Sequence, residues 1–306
     1  MIYTLSLNST VDKTIYVDEF KMNSLNRTNN IIISAGGKAI NVTKTIKLLD
    51  SDVISLGFIG GNNIQIITNR LDELNIKYDY VEIKNNIREN IKVIDNKGQL
   101  TELNEKGPYV EIEDIDKIKK QIKDILTKDD ILVLSGSVCQ NVSQDIYKEI
   151  IEIANSKVII DADGLLFKNA IEAKPYLIKP NTHELCNYFN IEETTDIDTL
   201  IKLCKELLNK GIKEIMLSMS KDGALYFKDD EIYKIEPLDI EVKSSVGAGD
   251  AMVGALAVSL QNNYDTITKI KLAIACASGA CLTLGTEPAD YEVVKELLPK
   301  VNYRKL

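Results

Sequence analysis

Ser244–Ala255 reads SSVGAGDAMVGA, and its reading decides that of the whole chain. Gly247 and Gly249 flank Ala248, and Asp250 follows at once. Small and apolar residues continue from Ala251 to Ala257, interrupted only by Gly254. The pattern predicts a tight turn feeding the first turn of a helix. Backbone N–H groups at such a start lack partners within the helix, and the helix dipole makes the place electropositive. Glycines let the backbone approach an anion, so the stretch can cradle phosphate. An aspartate beside such a cradle can take the proton from an attacking hydroxyl in phosphoryl transfer. The alternative is a plain glycine turn with an acidic residue placed by the dipole.

The chain has 306 residues, enough for one or two domains at roughly 150 residues each. A net charge of −9 argues against general affinity for nucleic acid or an anionic membrane surface. Cys139, Cys186, Cys204, Cys276 and Cys281 contain no C-x-x-C pair, which suits reduced thiols better than a disulfide framework or a zinc site. The opening MIYTLSLNST has no basic region and no long apolar run. The expectation is a cytoplasmic protein without a signal peptide. Leu272–Leu284 is too short and too rich in small residues to span a bilayer.

Strands are expected at Met1–Leu7, Thr14–Val17, Asn30–Ser34 and Val53–Ile59. Helices are expected at Ile40–Leu49 and Ile64–Leu74. Short strand-like pieces fill 78–104, with a hairpin turn at Asp95-Asn-Lys-Gly98. From Glu111 onwards helices alternate with strands at Ile131–Ser135, Val158–Asp161, Tyr176–Ile178 and Glu214–Ser218. Gly223–Phe227 and Glu231–Ile235 form a hairpin. Helices at Ala248–Leu260, Ile267–Leu284 and Tyr291–Leu298 finish the chain. The alternation predicts a doubly wound α/β fold with a mostly parallel sheet. Residues 1–306 are expected to form one domain, with a small sheet-like lid from segments 11–34 and 86–105.

A Walker A loop is missing, because alanine follows Gly37-Lys38 where serine or threonine is needed. G-x-G-x-x-G is also missing. Ser34-Ala-Gly-Gly-Lys38 opens a helix and places Gly36, Gly37, Lys38 and Asn41 together, able to hold a sugar hydroxyl or phosphate; an ordinary glycine turn is the alternative. Asn181 and Glu184 in Lys179-Pro-Asn-Thr-His-Glu184 have capping-box spacing. They could also hold Mg²⁺ through water near ATP phosphates. His183, the only histidine, reads as a surface or packing residue. Asp12, following the first strand, lies where α/β sheets place ligands and could accept hydrogen bonds from two sugar hydroxyls.

In this order and spacing the pieces resemble the ribokinase-like PfkB family of sugar kinases, over nearly the whole chain. The family's two signatures are the GGK-x-x-NV site at Gly36–Val42 and GAGD at Gly247–Asp250. The subgroup resembled most is that of the 1-phosphofructokinases and tagatose-6-phosphate kinases. Its marks here are the lysine of GGK, R-x-N-I-K at Arg88–Lys92, Ser135-Gly-Ser137, and Lys179-Pro-Asn181 with Glu184.

The resemblance implies Asp250 as catalytic base and Gly247, Ala248 and Gly249 as anion hole. It implies Asp12, Gly37, Asn41 and Ser137 on sugar hydroxyls, and Lys38, Arg27 and Arg88 on the phosphate already carried by the sugar. Lys179, Asn181, Glu184, Ser218, Ser220, Gly223, Ser245 and Ser278 would stand on the ATP side, and Mg²⁺ would be the metal. A homodimer through the lid is implied too. The expected reaction is ATP-dependent phosphorylation of D-fructose 1-phosphate at its 6-hydroxyl. Tagatose 6-phosphate is the alternative substrate; a neutral-sugar or nucleoside kinase and a non-catalytic sugar-phosphate sensor are more distant rivals. Against the family pattern, Ser9 replaces proline, Ala39 and Ser220 replace glycines, Ala251 replaces serine, and Ser137-Val-Cys139 replaces S-L-P. The methyl of Ala39 is expected to narrow or reshape the sugar site.

Overall fold

The computed structural model describes residues 1–283 and 285–306. The chain opens with β1 (Ile2–Ser6), β2 (Thr10–Val17), β3 (Thr28–Gly36), α1 (Lys38–Leu48), β4 (Val53–Gly60), α2 (Ile64–Glu73), β5 (Lys77–Ile83), β6 (Arg88–Ile94) and β7 (Leu100–Asn104). It continues through α3 (Ile112–Ile125), β8 (Ile131–Ser135), α4 (Ile146–Ile153), β9 (Lys157–Asp161), α5 (Gly164–Glu172), β10 (Leu177–Ile178), α6 (Thr182–Phe189) and α7 (Ile197–Asn209). It ends with β11 (Glu214–Ser218), β12 (Ala224–Lys228), β13 (Glu231–Ile235), α8 (Ala248–Gln261), α9 (Thr266–Cys281), α10 (Tyr291–Leu297) and β14 (Tyr303–Lys305).

Ten strands form one sheet in the order β14-β13-β12-β11-β10-β9-β8-β1-β4-β5. From β11 to β5 the neighbours are parallel, while β12, β13 and β14 continue one edge antiparallel. The central strands are apolar on both faces, as a sheet covered by helices on each side requires. Ile131, Val133 and Ile159 join the core beneath α1, α8 and α9. Leu132, Leu134, Val158 and Ile160 join the core beneath α3 to α7. The period of two thus assigns alternate residues of one strand to two separate cores.

Asp250 to Leu260 of α8 are buried on every side, which explains why the stretch after Asp250 is small and apolar on every face, Ser259 excepted, instead of amphipathic. Gly254 is the contact point with α1, since a methyl there would stand 2.8 Å from Cβ of Thr45. Two helices approaching this closely bring their N-terminal turns together.

A second sheet, in the order β3-β2-β6-β7, holds the remaining strands. Its register aligns Ser34, Asp12, Asn90 and Asn104 in one row, so they share a face. Most boundaries agree with the sequence reading to within a residue or two, and the larger differences are among the strands. β2 begins at Thr10, not Thr14, so Asp12 lies inside a strand of the small sheet and not at the carboxyl end of β1. β3 runs from Thr28 to Gly36, and β10 shrinks to two residues. The chain ends in β14, paired with β13, where no strand was expected. Each difference arises from pairing between segments distant in sequence, which local β-propensity does not encode. The expected helix end at Leu284 lies outside the described residues. Among the described residues, no helix is long and apolar enough to cross a membrane.

A buried ion pair ties the sheet to α9. Glu214, 1% exposed, accepts from Lys269 Nζ at 2.5 Å and from the Tyr226 hydroxyl at 2.6 Å. Lys269→Met leaves the carboxylate without its close cation and should destabilise the fold by about 3–5 kcal/mol in urea unfolding. Adding Glu214→Gln should restore much of that loss. A single-mutant loss under about 1 kcal/mol would contradict this account of the pair.

Candidate active site

Gly247 caps the N-terminus of α8 with φ of 86°, a left-handed conformation that suits glycine. Gly37 does the same for α1 with φ of 102°. Neither cap carries a side-chain hydrogen bond, and both helix N-termini line the same cleft, where the Ala248 N–H donates to the Ser245 carbonyl at 3.4 Å. The cleft encloses about 680 Å³.

Asp250, in the first turn of α8, is buried. Its Oδ2 accepts from Asn41 Nδ2 of α1 at 2.8 Å, which fixes the carboxyl plane. Burial pushes its pKa up to about 7, and the nearby Asp161 adds to the rise, against the opposing pull of Lys38, Asn41 and Lys179. Because the folded protein holds this proton to higher pH, Asp250 contributes stability that is present below about pH 4. That stability is lost as pH rises through about 7.

Asp161, at the carboxyl end of β9, was not among the residues singled out from the sequence. It is 1% exposed and accepts from Ser135 Oγ at 3.0 Å. Lys179 Nζ lies 3.2 Å from its Oδ1 and Lys38 Nζ 3.5 Å from its Oδ2. Burial would raise its pKa, but the two ammonium groups more than offset this and hold it ionised. Asp161 in turn raises the pKa of Lys38. The only sequence signal was its position at the end of a buried parallel strand. Lys179 also reaches the α8 cap, since a methyl on Gly249 would stand 3.4 Å from its Nζ.

The small sheet roofs one end of the cleft. Asp12 receives Asn90 Nδ2 at 3.4 Å and Lys92 Nζ at 3.3 Å. Arg88, at the start of β6, makes no ion pair among the described residues, and its buried Nε has no hydrogen-bond partner. Its pKa is lowered chiefly by burial. Asn90 Oδ1 and Asn41 Oδ1 are buried without partners too. Asn90, Lys92, Glu102 and Asn104 are cleft residues that the sequence reading did not assign to the site.

Of the residues named from the sequence, Asp12, Gly37, Lys38, Asn41 and Arg88 line this cleft together with Gly247, Ala248, Gly249 and Asp250. So do Lys179, Asn181, Glu184, Ser218, Ser220, Gly223, Ser245 and Ser278. Ser137 lines an adjoining cavity of about 360 Å³ that shares Lys38 and Arg88 with the first. Arg27 lines neither and is exposed just before β3. Asn181 and Glu184 do form the capping box, with bonds of 2.8 and 2.9 Å. Burial, reinforced by Asp161, raises the Glu184 pKa. Ser220 adopts φ of 51°, so it keeps the left-handed backbone for which glycine is the usual choice. Ala39 lines neither cavity and is 1% exposed, so its methyl is spent in packing and does not narrow the cleft. Leu238, Ile240, Ile274 and Ala277 give the cleft an apolar wall that the sequence does not announce.

Two helix N-termini, two lysines and a buried carboxyl gathered in one cleft suit phosphoryl transfer. The chain belongs to the pfkB family of carbohydrate kinases, which it matches over residues 5–292. It is 33% identical over 311 residues to the 1-phosphofructokinase of Bacillus subtilis, covering 100% of each chain. It is 32% identical over 265 residues to the tagatose-6-phosphate kinase of Staphylococcus epidermidis, covering 85% of each. Among solved structures, phosphofructokinase-2 of Escherichia coli matches with a TM-score of 0.93 at 26% identity over 98% of each chain. A tetrameric inhibited form of that enzyme matches with a TM-score of 0.91 at 25% identity over 98% of each chain. The chain is therefore a sugar kinase, and family membership implies ATP as its phosphoryl donor.

Carboxyl titration by carbon-13 NMR checks the electrostatics in the ligand-free protein. Asp250 should titrate near neutrality, at about 7. Asp161→Asn should lower that midpoint, because it removes a nearby negative charge and frees two ammonium groups. An unchanged or higher midpoint would contradict the charge balance described.

Proposed function

We propose that the protein transfers the γ-phosphoryl group of ATP to the 6-hydroxyl of D-fructose 1-phosphate. The observation that carries this reading is Arg88, a half-buried guanidinium in the cleft that holds Asp250. It makes no ion pair among the described residues; its Nε has no hydrogen-bond partner, and its Nη1 donates to the Glu105 carbonyl at 3.3 Å. A sugar phosphate would supply the missing anion, with Lys38 as a second cation. Asp12, Gly37 and the unpartnered Asn41 Oδ1 would hold sugar hydroxyls, with Ser137 reaching in from the adjoining cavity.

Asp250 would accept the 6-hydroxyl proton as the oxygen bonds to the γ-phosphorus and the bond to the β-bridging oxygen breaks, releasing ADP. A carboxyl poised near neutral pH suits this task better than an ordinary one. The N–H groups at Gly247, Ala248 and Gly249 and the Lys179 ammonium would stabilise charge on the moving phosphoryl group. Ser218, Ser220, Gly223, Ser245 and Ser278 would line the nucleotide site, and the apolar wall suits a base.

Among the described residues no group of three or more His, Cys, Asp or Glu side chains could cage a metal ion. One or two carboxylate donors with phosphate oxygens and water are the usual surroundings of Mg²⁺, and Asn181 and Glu184 fit that donor set through water. When bound, Mg²⁺ would neutralise charge on the phosphates.

The small sheet, built from segments 11–34 and 86–105 of a single domain, would act as a lid and as the contact with a second subunit. Ile31, Ile32 and Ile33 on β3 are 43–52% exposed and Leu103 on β7, at the opposite edge, is 59% exposed, an apolar surface across the sheet that a second subunit would cover. Arg27 would then join the phosphate site only by way of the second subunit. Sedimentation at micromolar concentration should give a dimer, and a strict monomer would contradict this. The protein is expected to work in the cytoplasm.

A coupled assay across fructose 1-phosphate, tagatose 6-phosphate, fructose 6-phosphate and fructose tests the substrate. Fructose 1-phosphate should have the highest kcat/KM. Arg88→Ala should lower it by roughly 10- to 150-fold, equivalent to about 1.5–3 kcal/mol, with KM for ATP little changed. It should also shrink the preference for sugar phosphate over free sugar. An unchanged preference would remove Arg88 from the phosphate site.

A further inference from the structure

A second charged cluster lies behind the cleft. Lys44, on α1, is 2% exposed, and its Nζ donates to the backbone carbonyl of Ala35 at 3.0 Å and to Glu287 Oε1 at 2.7 Å. The other carboxylate oxygen, Glu287 Oε2, accepts from Arg70 of α2 at 2.9 Å. Burial alone would raise the Glu287 pKa, but the two cations reverse this and hold it ionised. A buried ammonium with a carbonyl and a carboxylate partner is costly to desolvate, so its geometry must be kept for the arrangement to persist.

The partners of this cluster belong to different parts of the cleft. Ala35 directly precedes Gly36 and Gly37, the turn that starts α1. Lys44 is one turn beyond Asn41, which holds Asp250. Glu287 directly follows Thr286, whose Cα would stand 3.4 Å from a methyl placed on Gly247. The loop itself is tightened by Thr283 Oγ1, which donates to the Glu287 carbonyl at 2.8 Å. The end of α9 holds the approach to the same turn, since Lys243 N donates to the Cys281 carbonyl at 2.8 Å. One carboxylate thus links the backing of the Gly247 turn to the helix carrying Asn41.

We propose that Glu287 is a positioning residue, which with Lys44 and Arg70 clamps the 285–288 loop behind Gly247. This keeps the anion-hole N–H groups in register with the Asp250–Asn41 pair and the Gly36–Gly37 turn. The inference rests on reading Gly247–Gly249 as the anion hole. Glu287 touches no substrate; it acts through the backbone it holds. Its effect should therefore appear in the transition state, where the anion hole works, and not in ground-state binding.

Glu287→Gln tests this with nearly the same shape and without the charge. It should lower kcat by about 10- to 100-fold, the scale of a small misplacement of catalytic groups. KM for ATP and for fructose 1-phosphate should each change by less than about threefold, since uniform binding is untouched. Arg70→Met, at a half-exposed position, should give a smaller loss of the same kind. Lys44→Met combined with Glu287→Gln should be no worse in kcat than the poorer single variant, because both break one clamp. If Lys44→Met does not fold, Arg70→Met with Glu287→Gln provides the same cycle. A normal kcat in Glu287→Gln with a lowered melting temperature would show a purely structural pair and overturn the proposal. Additive losses in kcat would overturn it as well. Asp250→Asn, run alongside, separates this from the larger reading: near-normal kcat there would sink both, whereas a loss of roughly 10²–10⁴-fold with unaltered Glu287→Gln would sink only the clamp.

Discussion

The charge balance of the cleft depends on one carboxylate, Asp161, buried at the carboxyl end of a central parallel strand. A lone carboxylate at that depth would take up a proton. It stays ionised because Lys38 and Lys179 flank it and Ser135 donates to it. Those contacts join three further elements, since Lys38 starts α1, Lys179 follows β10, and Ser135 ends β8. The sheet thus supplies a fixed anion that holds two cations near the α8 cap. Its field also helps keep Asp250 protonated to higher pH than a surface aspartate. Removing Asp161 would therefore disturb both the cations and the carboxyl proposed to act as base.

The second constraint is steric. Gly254 lets α1 and α8 pack closely, and that contact sets the distance between Asn41 and Asp250. Cap conformations at Gly37 and Gly247 then turn both helix starts towards the same space. Glu287 lies on the other side of this junction, between Lys44 of α1 and Arg70 of α2. Two helix N-termini, one carboxyl–amide hydrogen bond and one rear ion-pair cluster thereby share a single rigid frame.

Much of this was legible because it is local. GAGD and GGK-x-x-NV contain both the glycines that permit the caps and the residues that follow them, so turn and chemistry appear in one short string. Val53–Ile59 and Ile131–Ser135 announced buried strands by apolar content alone. Asp161 was hidden because nothing near it in sequence reveals two lysines arriving from distant segments. Asp12 was assigned to the cleft but to the wrong element, since pairing with the end of β3 and the start of β6 extends its strand to Thr10. Asn90 and Asn104 share a row with Asp12 through strand register, which no single segment specifies. The methyl of Ala39 was expected to alter the sugar site, but the helix turns it into the packing instead.

The most direct test is a crystal structure of the protein with fructose 1-phosphate and a non-hydrolysable ATP analogue. The account predicts the sugar phosphate on Arg88 and Lys38, and the 6-hydroxyl within hydrogen-bond reach of the free Asp250 oxygen. It also predicts the terminal phosphate of the analogue against the Gly247–Gly249 N–H groups and Lys179. A sugar bound with its phosphate away from Arg88, or with no hydroxyl near Asp250, would contradict it.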